Sequence, residues 1–151
     1  MNNELYQQTI LDHNKKPRHY EKLKVYTHMA EGFNQLCGDH YYIYLSIAPD
    51  ETIQEISFEG SGCAISKASA SLMTSRLKGK SVKEAKLLYD QFHYLITGKL
   101  DLEKDTHQLE KLAVFSGIWQ YPMRVKCASL CWHTLRGALE QTKTVSTEDS
   151  L

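Results

Sequence analysis

The run Phe58-Glu59-Gly60-Ser61-Gly62-Cys63-Ala64-Ile65-Ser66 constrains this chain most, because strand-type residues give way to helix-type residues across it. Upstream, Ile56 and Phe58 belong to a β-rich stretch. Downstream, Ala64 to Leu77 is built of Ala, Ser, Leu, Met and Lys with no breaker before Gly79. Gly60 and Gly62 let the backbone turn sharply and approach another group. The corner therefore sets the Cys63 thiol at the start of a helix, where the helix dipole favours thiolate over thiol. Cys63 is a candidate ligand or nucleophile, with a small buried core residue as the plain alternative.

Around this corner the chain reads as α+β. Leu5, Gln8, Thr9, Ile10 and Asp12 fit a short first helix closed by Lys16-Pro17-Arg18. Three strands are expected at 23–30, 40–48 and 52–59. The middle one is marked by Tyr41, Ile43, Leu45 and Ile47 alternating with Tyr42, Tyr44 and Ser46. Pro49-Asp50-Glu51 is the hairpin turn, and the opposite parity of Ile53 and Ile56 predicts a bulge or ragged start in the third strand. Ser81-Val82-Lys83-Glu84 is a capping box opening a helix that runs to about Thr97 and stops at Gly98. Asp105 is expected to cap a short helix through Val114, and Pro122 to open a last helix striped by Cys127, Leu130, Cys131, Leu135 and Leu139. The predicted architecture is a three-stranded antiparallel sheet with helices packed on one face. It occupies a single domain over 1–141, followed by a disordered tail at 142–151 that has little to bury.

Composition narrows function. Eighteen basic residues balance eighteen acidic ones, so no whole-molecule field points to nucleic acid or to an anionic membrane. Met1-Asn2-Asn3-Glu4-Leu5 lacks a basic region followed by an apolar stretch, and no segment has the length of a membrane span, so a cytoplasmic protein is expected. In that reducing compartment Cys37, Cys63, Cys127 and Cys131 point to metal binding or thiol chemistry rather than structural disulfides.

Cys37-Gly38-Asp39 precedes the middle strand. Antiparallel pairing around Pro49 to Glu51 brings the start of that strand beside the end of the next, near Gly60, so Cys37, Asp39 and Cys63 should meet at one end of the sheet. Cys127, in the first turns of the last helix, can reach the same end. Three thiolates and a carboxylate suit tetrahedral zinc, and iron-sulfur chemistry as well. Cys131, one helical turn beyond Cys127, reads as core packing. The histidines show no paired metal spacing, although His40 adjoins Asp39.

Cys37-Gly38-Asp39, Glu59 to Met73 and Pro122 to Trp132, together with Leu5-Tyr6, Asp12-His13 and Pro17-Arg18, resemble the iron-sulfur assembly proteins of the U type, IscU and SufU, which are similar to the NifU N-terminal domain. The resemblance covers roughly residues 4 to 141. Lys126 stands where the IscU type usually carries histidine, and the stretch around Gly98 to Gly117 is surplus to that type; both features favour SufU. What this resemblance implies is a zinc held by Cys37, Asp39, Cys63 and Cys127, and a pyridoxal-phosphate cysteine desulfurase as partner. It further implies Cys37 as the acceptor of persulfide sulfur, and downstream iron-sulfur scaffold or acceptor proteins. The alternative it implies is a scaffold on which a [2Fe-2S] cluster is built and released. Arg124 and Lys126 at the rim, with Tyr6 as a second contact, are the expected partner-binding residues. The family usually has Asn-Pro before Cys-Gly-Asp; here Gln35 follows Asn34, which should leave the Cys37 loop freer.

Overall fold

A computed structural model describes residues 3–146, with side chains from Tyr6 onward. Helix α1 (Asn3–Lys15) leads into strands β1 (His28–Asn34), β2 (Asp39–Ile47) and β3 (Ile53–Ser61). Helices α2 (Ala64–Leu77) and α3 (Val82–Ile96) follow, then two 3₁₀ turns at Glu110–Phe115 and Ile118–Gln120, helix α4 (Pro122–Leu139) and strand β4 (Thr144–Ser146).

The three central strands pair as an antiparallel meander, Asn34 facing Asp39 across β1 and β2, and His40 facing Ser61 across β2 and β3. A register shift at Ser46 and Ile47 absorbs the parity mismatch of Ile53 and Ile56. The expected three-stranded antiparallel sheet needs correcting: the sheet has four strands in the order β3-β2-β1-β4, and β4 lies parallel to β1. The fourth strand comes from the stretch expected to be a tail, whose residues 147–151 lie outside the described residues. Three residues with a single apolar side chain carry no periodicity, so Thr144-Val145-Ser146 is placed by tertiary packing. Gly137 on α4 leaves a notch for it, where a Cβ would stand 2.5 Å from Val145 Cγ2.

The first strand also lies further along than the 23–30 expected. Val25 is 81% exposed and outside the sheet, while Gly32 lies within β1. Glycine weakens a strand signal, but the backbone here passes so close to α4 that a Cβ at residue 32 would overlap Thr134 Oγ1.

Tyr41, Ile43 and Leu45 of β2 alternate into the core, joined by Ala30, Ile56 and Phe58 and covered by α2 and α4. Helix α2 is buried nearly all round, which its small residues permit. Ser69 Oγ donates to the Ala128 carbonyl at 2.7 Å, and Ser71 Oγ accepts the Arg18 N–H at 2.8 Å while bonding His13 Nδ1 at 2.7 Å. Serines thus bring the helix close to its neighbours without orphaning their hydroxyls. Trp132 stacks on Phe92 at 4.8 Å and Phe115 meets Phe92 edge-on at 5.6 Å, each ring contributing roughly 1.5–3 kcal/mol by burial. The Ser81–Glu84 capping box forms as expected. The Asp105 cap does not, because that carboxylate accepts the Asp101 N–H at 2.7 Å, leaving only the 3₁₀ turn from Glu110. Among the described residues no helix is long and apolar enough to cross a membrane.

His133 lies buried between α3 and α4, its Nδ1 hydrogen-bonded to the Tyr89 hydroxyl at 2.8 Å, and burial pulls its pKa down to about 4. A depressed imidazole pKa means that the unfolded chain binds the proton more readily. The stabilisation from keeping His133 neutral is full above about pH 6.5 and is lost as pH falls toward 4. At 1.36 kcal/mol per unit, the loss is roughly 3 kcal/mol. His133→Gln keeps an acceptor for Tyr89 without titrating, so thermal midpoints measured from pH 7.5 down to 4.5 should fall less steeply in the variant than in the wild type.

Candidate metal centre

The β1–β2 loop, the start of β2, the N-cap of α2 and the N-terminal turns of α4 converge at one end of the sheet and bring Cys37, Asp39, Cys63 and Cys127 respectively. Cys37 Sγ, a carboxylate oxygen of Asp39 and Cys127 Sγ all lie within 4.8 Å of one another. Cys127 Sγ is 3.4 Å from Cys37 Sγ. Cys63 joins from the exposed side, its Sγ 3.9 Å from Asp39 Oδ2 and its backbone N–H donating to Asp39 Oδ1 at 2.9 Å.

The strand-to-helix corner makes Cys63 the N-cap of α2: its sulfur accepts the Ser66 N–H at 3.4 Å. The nearby Cys127 thiol and then the Ser66 N–H favour its thiolate and bring the Cys63 pKa down to about 6. Cys127 shifts the opposite way, because the Cys63 sulfur and then burial hold its proton in place.

The donor set fits a divalent, thiophilic metal. Asp39 is 1% exposed, and among the described residues no cationic side chain pairs with it. A carboxylate buried beside two thiols is costly unless positive charge is supplied. Zinc is bound by this combination of sulfur and oxygen donors, and thiolates also hold iron-sulfur clusters.

Cys131 is fully buried, 3.4 Å from Ser69 Oγ, and burial pushes its pKa up to about 12; it packs the core, as its place on the helix stripe predicted. His40 is turned from the cluster to the Glu31 carboxylate. Arg124 is exposed, its guanidinium 4.6 Å from the Tyr121 ring centre. It lines a groove of about 410 Å³ together with Tyr6, Ile10, Ile65 and Tyr121, so two of the three expected partner residues share one surface. Lys126 is half-buried, one residue before Cys127.

Three supporting residues escape a sequence reading. Asn34 takes over part of the missing proline's work: its Oδ1 accepts the Leu36 N–H at 3.2 Å and its carbonyl accepts the Gly38 N–H at 2.8 Å, closing the loop around Cys37. Tyr41 and Ser66 sit beneath Cys63, their hydroxyl oxygens 3.0 Å apart. The spacing of Ser66, three residues after the thiol, was the one signal in the sequence, since that is where an N-cap acceptor finds its donor.

The family model described as the NifU-like N terminal domain matches residues 5–128. The chain is 37% identical over 142 residues to the iron-sulfur cluster assembly scaffold protein IscU of Streptococcus pyogenes serotype M1, covering 93% of this chain and 86% of that one. It is 35% identical over 131 residues to the zinc-dependent sulfurtransferase SufU of Bacillus subtilis (strain 168), covering 87% and 86% respectively. Among solved structures it matches, with a TM-score of 0.79 and 31% identity, an iron-sulfur cluster assembly scaffold protein for the SUF system from Fervidobacterium islandicum AW-1, covering 92% of this chain and 99% of that one.

Proposed function

Because the chain belongs to the NifU-like N-terminal family, with IscU and SufU among its relatives, we propose that it is a cytoplasmic iron-sulfur cluster assembly protein that accepts sulfur on Cys37 and carries zinc as its resident metal. The observation that carries this reading is the convergence of Cys37, Asp39 and Cys127 within 4.8 Å, with Cys63 at the rim. Lys126 before Cys127 and the 3₁₀ segment after Gly98 support the zinc-dependent branch.

Cys37, Asp39, Cys63 and Cys127 would hold the zinc, which keeps thiols ionised at neutral pH and, having no redox chemistry, does not discharge a persulfide. The remaining chemistry belongs to the chain and its partner, a pyridoxal-phosphate cysteine desulfurase presenting a cysteine persulfide. The Cys37 thiolate attacks the outer sulfur of that persulfide. A new S–S bond forms on Cys37, the donor's S–S bond breaks, and its electron pair leaves on the donor cysteine, so no external oxidant is needed. The persulfide on Cys37 then passes its sulfur to a downstream iron-sulfur scaffold or acceptor protein.

Zinc-loaded protein mixed with a desulfurase and cysteine should speed sulfide release and gain one sulfur atom on the Cys37 peptide by mass spectrometry. Absence of both ends the reading. A second reading, a scaffold for a [2Fe-2S] cluster, is favoured by the scaffold proteins among the relatives. Anaerobic reconstitution yielding a stoichiometric, transferable cluster on the same cysteines would select it.

The groove joining Tyr6 and Arg124 is the face we assign to the desulfurase. Arg124→Glu reverses an exposed charge there. Desulfurase affinity should drop about tenfold at low salt, with the gap narrowing as salt rises. Titration calorimetry showing equal affinities would remove Arg124 from the interface.

A further inference from the structure

Helix α1, the loop at 16–18, helix α2 and the 3₁₀ turn from Glu110 enclose a cavity of about 280 Å³ to which the thiol chemistry gives no task. Leu72 and Leu112 supply its apolar lining, and His13, Arg18, Arg76 and Lys111 its polar groups. Leu72 and Arg76 lie more than two turns along α2 from Cys63, roughly 13 Å or more at the helical rise, so the cavity is separate from the metal centre. His13 is only 5% exposed. Ser71 Oγ, which accepts the Arg18 N–H at 2.8 Å, stands 2.7 Å from His13 Nδ1, and among the described residues the Ser71 hydroxyl has no other acceptor. Its proton therefore goes to Nδ1, which leaves the ring proton on Nε2. Nε2 has no partner among the described residues, so a buried N–H donor is left facing the cavity.

Positive charge surrounds that donor. Burial, and then the Arg18 guanidinium, hold the His13 pKa below its ordinary value, with Lys111 adding to the effect and Asp12 opposing it. Arg18 pairs with Asp12 at 2.7 Å and Arg76 with Glu110 at 2.8 Å, but both carboxylates are more than half exposed, and Lys111 pairs with no acid among the described residues. We infer that this cavity is a binding site for a small tetrahedral oxyanion, a phosphoryl group, whose charge is met by Lys111, Arg18 and Arg76 and one of whose oxygens is fixed by the His13 Nε2–H. Guanidinium and ammonium groups hold phosphate oxygens through charge-assisted hydrogen bonds, and an N–H shielded from water gains most from acquiring an acceptor. Donors carried by separate segments of chain suit a tetrahedral anion, whereas a planar carboxylate would leave part of the set unmatched. An oxyanion held there bridges α1, α2 and the 3₁₀ turn, so its presence fixes how α1 lies on the domain. The site is independent of the sulfur chemistry proposed above.

Inorganic phosphate, titrated into the zinc-loaded protein at constant ionic strength with chloride making up the balance, tests the site. The His13 ring resonances, assigned by their loss in His13→Gln, should move in a saturable way at millimolar phosphate. Lys111 is exposed and its side chain makes no hydrogen bond among the described residues, so its variants keep the fold. Lys111→Gln should weaken phosphate binding about tenfold, the low end of what a hydrogen bond to a charged group is worth, and Lys111→Arg should restore it. Lys83→Gln, which removes an exposed lysine on α3 outside the cavity, should change nothing. A parallel titration with glycerol 3-phosphate separates the two sources of the ligand: tighter binding than phosphate identifies a phosphomonoester, and equal or weaker binding the free ion. Acetate should leave the ring resonances in place. No saturable movement of His13, a movement that acetate reproduces, or equal phosphate affinity in wild type and Lys111→Gln would overturn the inference. No sulfur transfer enters these readouts, so the site and the proposed function stand or fall separately.

Discussion

On the proposed function, replacing Cys37 by serine should leave a folded, metal-binding protein that no longer takes up sulfur. The substitution falls in a loop closed by Asn34 backbone and side-chain bonds, which do not involve the thiol, so the sheet and the packing of α2 and α4 stay as they are. Metal affinity falls because a thiolate is exchanged for a hydroxyl, but Asp39, Cys63 and Cys127 remain. A serine hydroxyl is almost wholly protonated at neutral pH and is a poor nucleophile toward sulfur, so persulfide labelling should fall by at least about two orders of magnitude. Desulfurase stimulation should fall with it. Sulfide release and peptide mass spectrometry read the two effects separately. A variant that supported full sulfur transfer would reduce the molecule to a zinc-stabilised interaction module.

Stripping the metal with a strong chelator should lower the thermal midpoint well beyond what any surface substitution does. A ligand bound only by the native state, at a thousandfold above its dissociation constant, stabilises by about 4 kcal/mol. For a domain of this size that corresponds to a shift of roughly 8–16 °C. The loss is local in origin. Asp39 is left buried with no cation beside it, and the Cys37 loop loses its tie to α4, while the stacked core of Phe92, Phe115 and Trp132 is untouched. The stripped protein should therefore keep its far-ultraviolet circular dichroism while exchanging amide protons faster around residues 35–39 and 122–127. Equal midpoints for metal-free and loaded protein would show that the cluster is not a metal centre.

The parts of this fold readable from sequence are those whose signal is local. The alternation of Tyr41 to Ile47, the Ser81–Glu84 box and the glycine corner before Cys63 each announce one element, and the hairpin between β2 and β3 brings Asp39 and Cys63 together by simple pairing. What sequence hid was set by partners distant in the chain. Gly32 looks like a weak strand residue until α4 is seen filling the space a side chain would need, and Thr144 to Ser146 look like tail until β1 and Gly137 are seen to receive them. The site divides in the same way. The cysteines and Asp39 are reactive types that draw attention wherever they lie, whereas Ser66 and Tyr41 are ordinary residues whose meaning comes from the atoms they touch.

The parallel pairing of β4 has a practical side for anyone producing this protein. Shortening the polypeptide after Leu139 would strip the covering from the flank of β1, baring a row of amide and carbonyl groups that can zip onto a second molecule. Light scattering should then show self-association in a species whose thiols and helices are otherwise intact, so an affinity tag is better joined beyond Ser146 than in place of the residues leading to it.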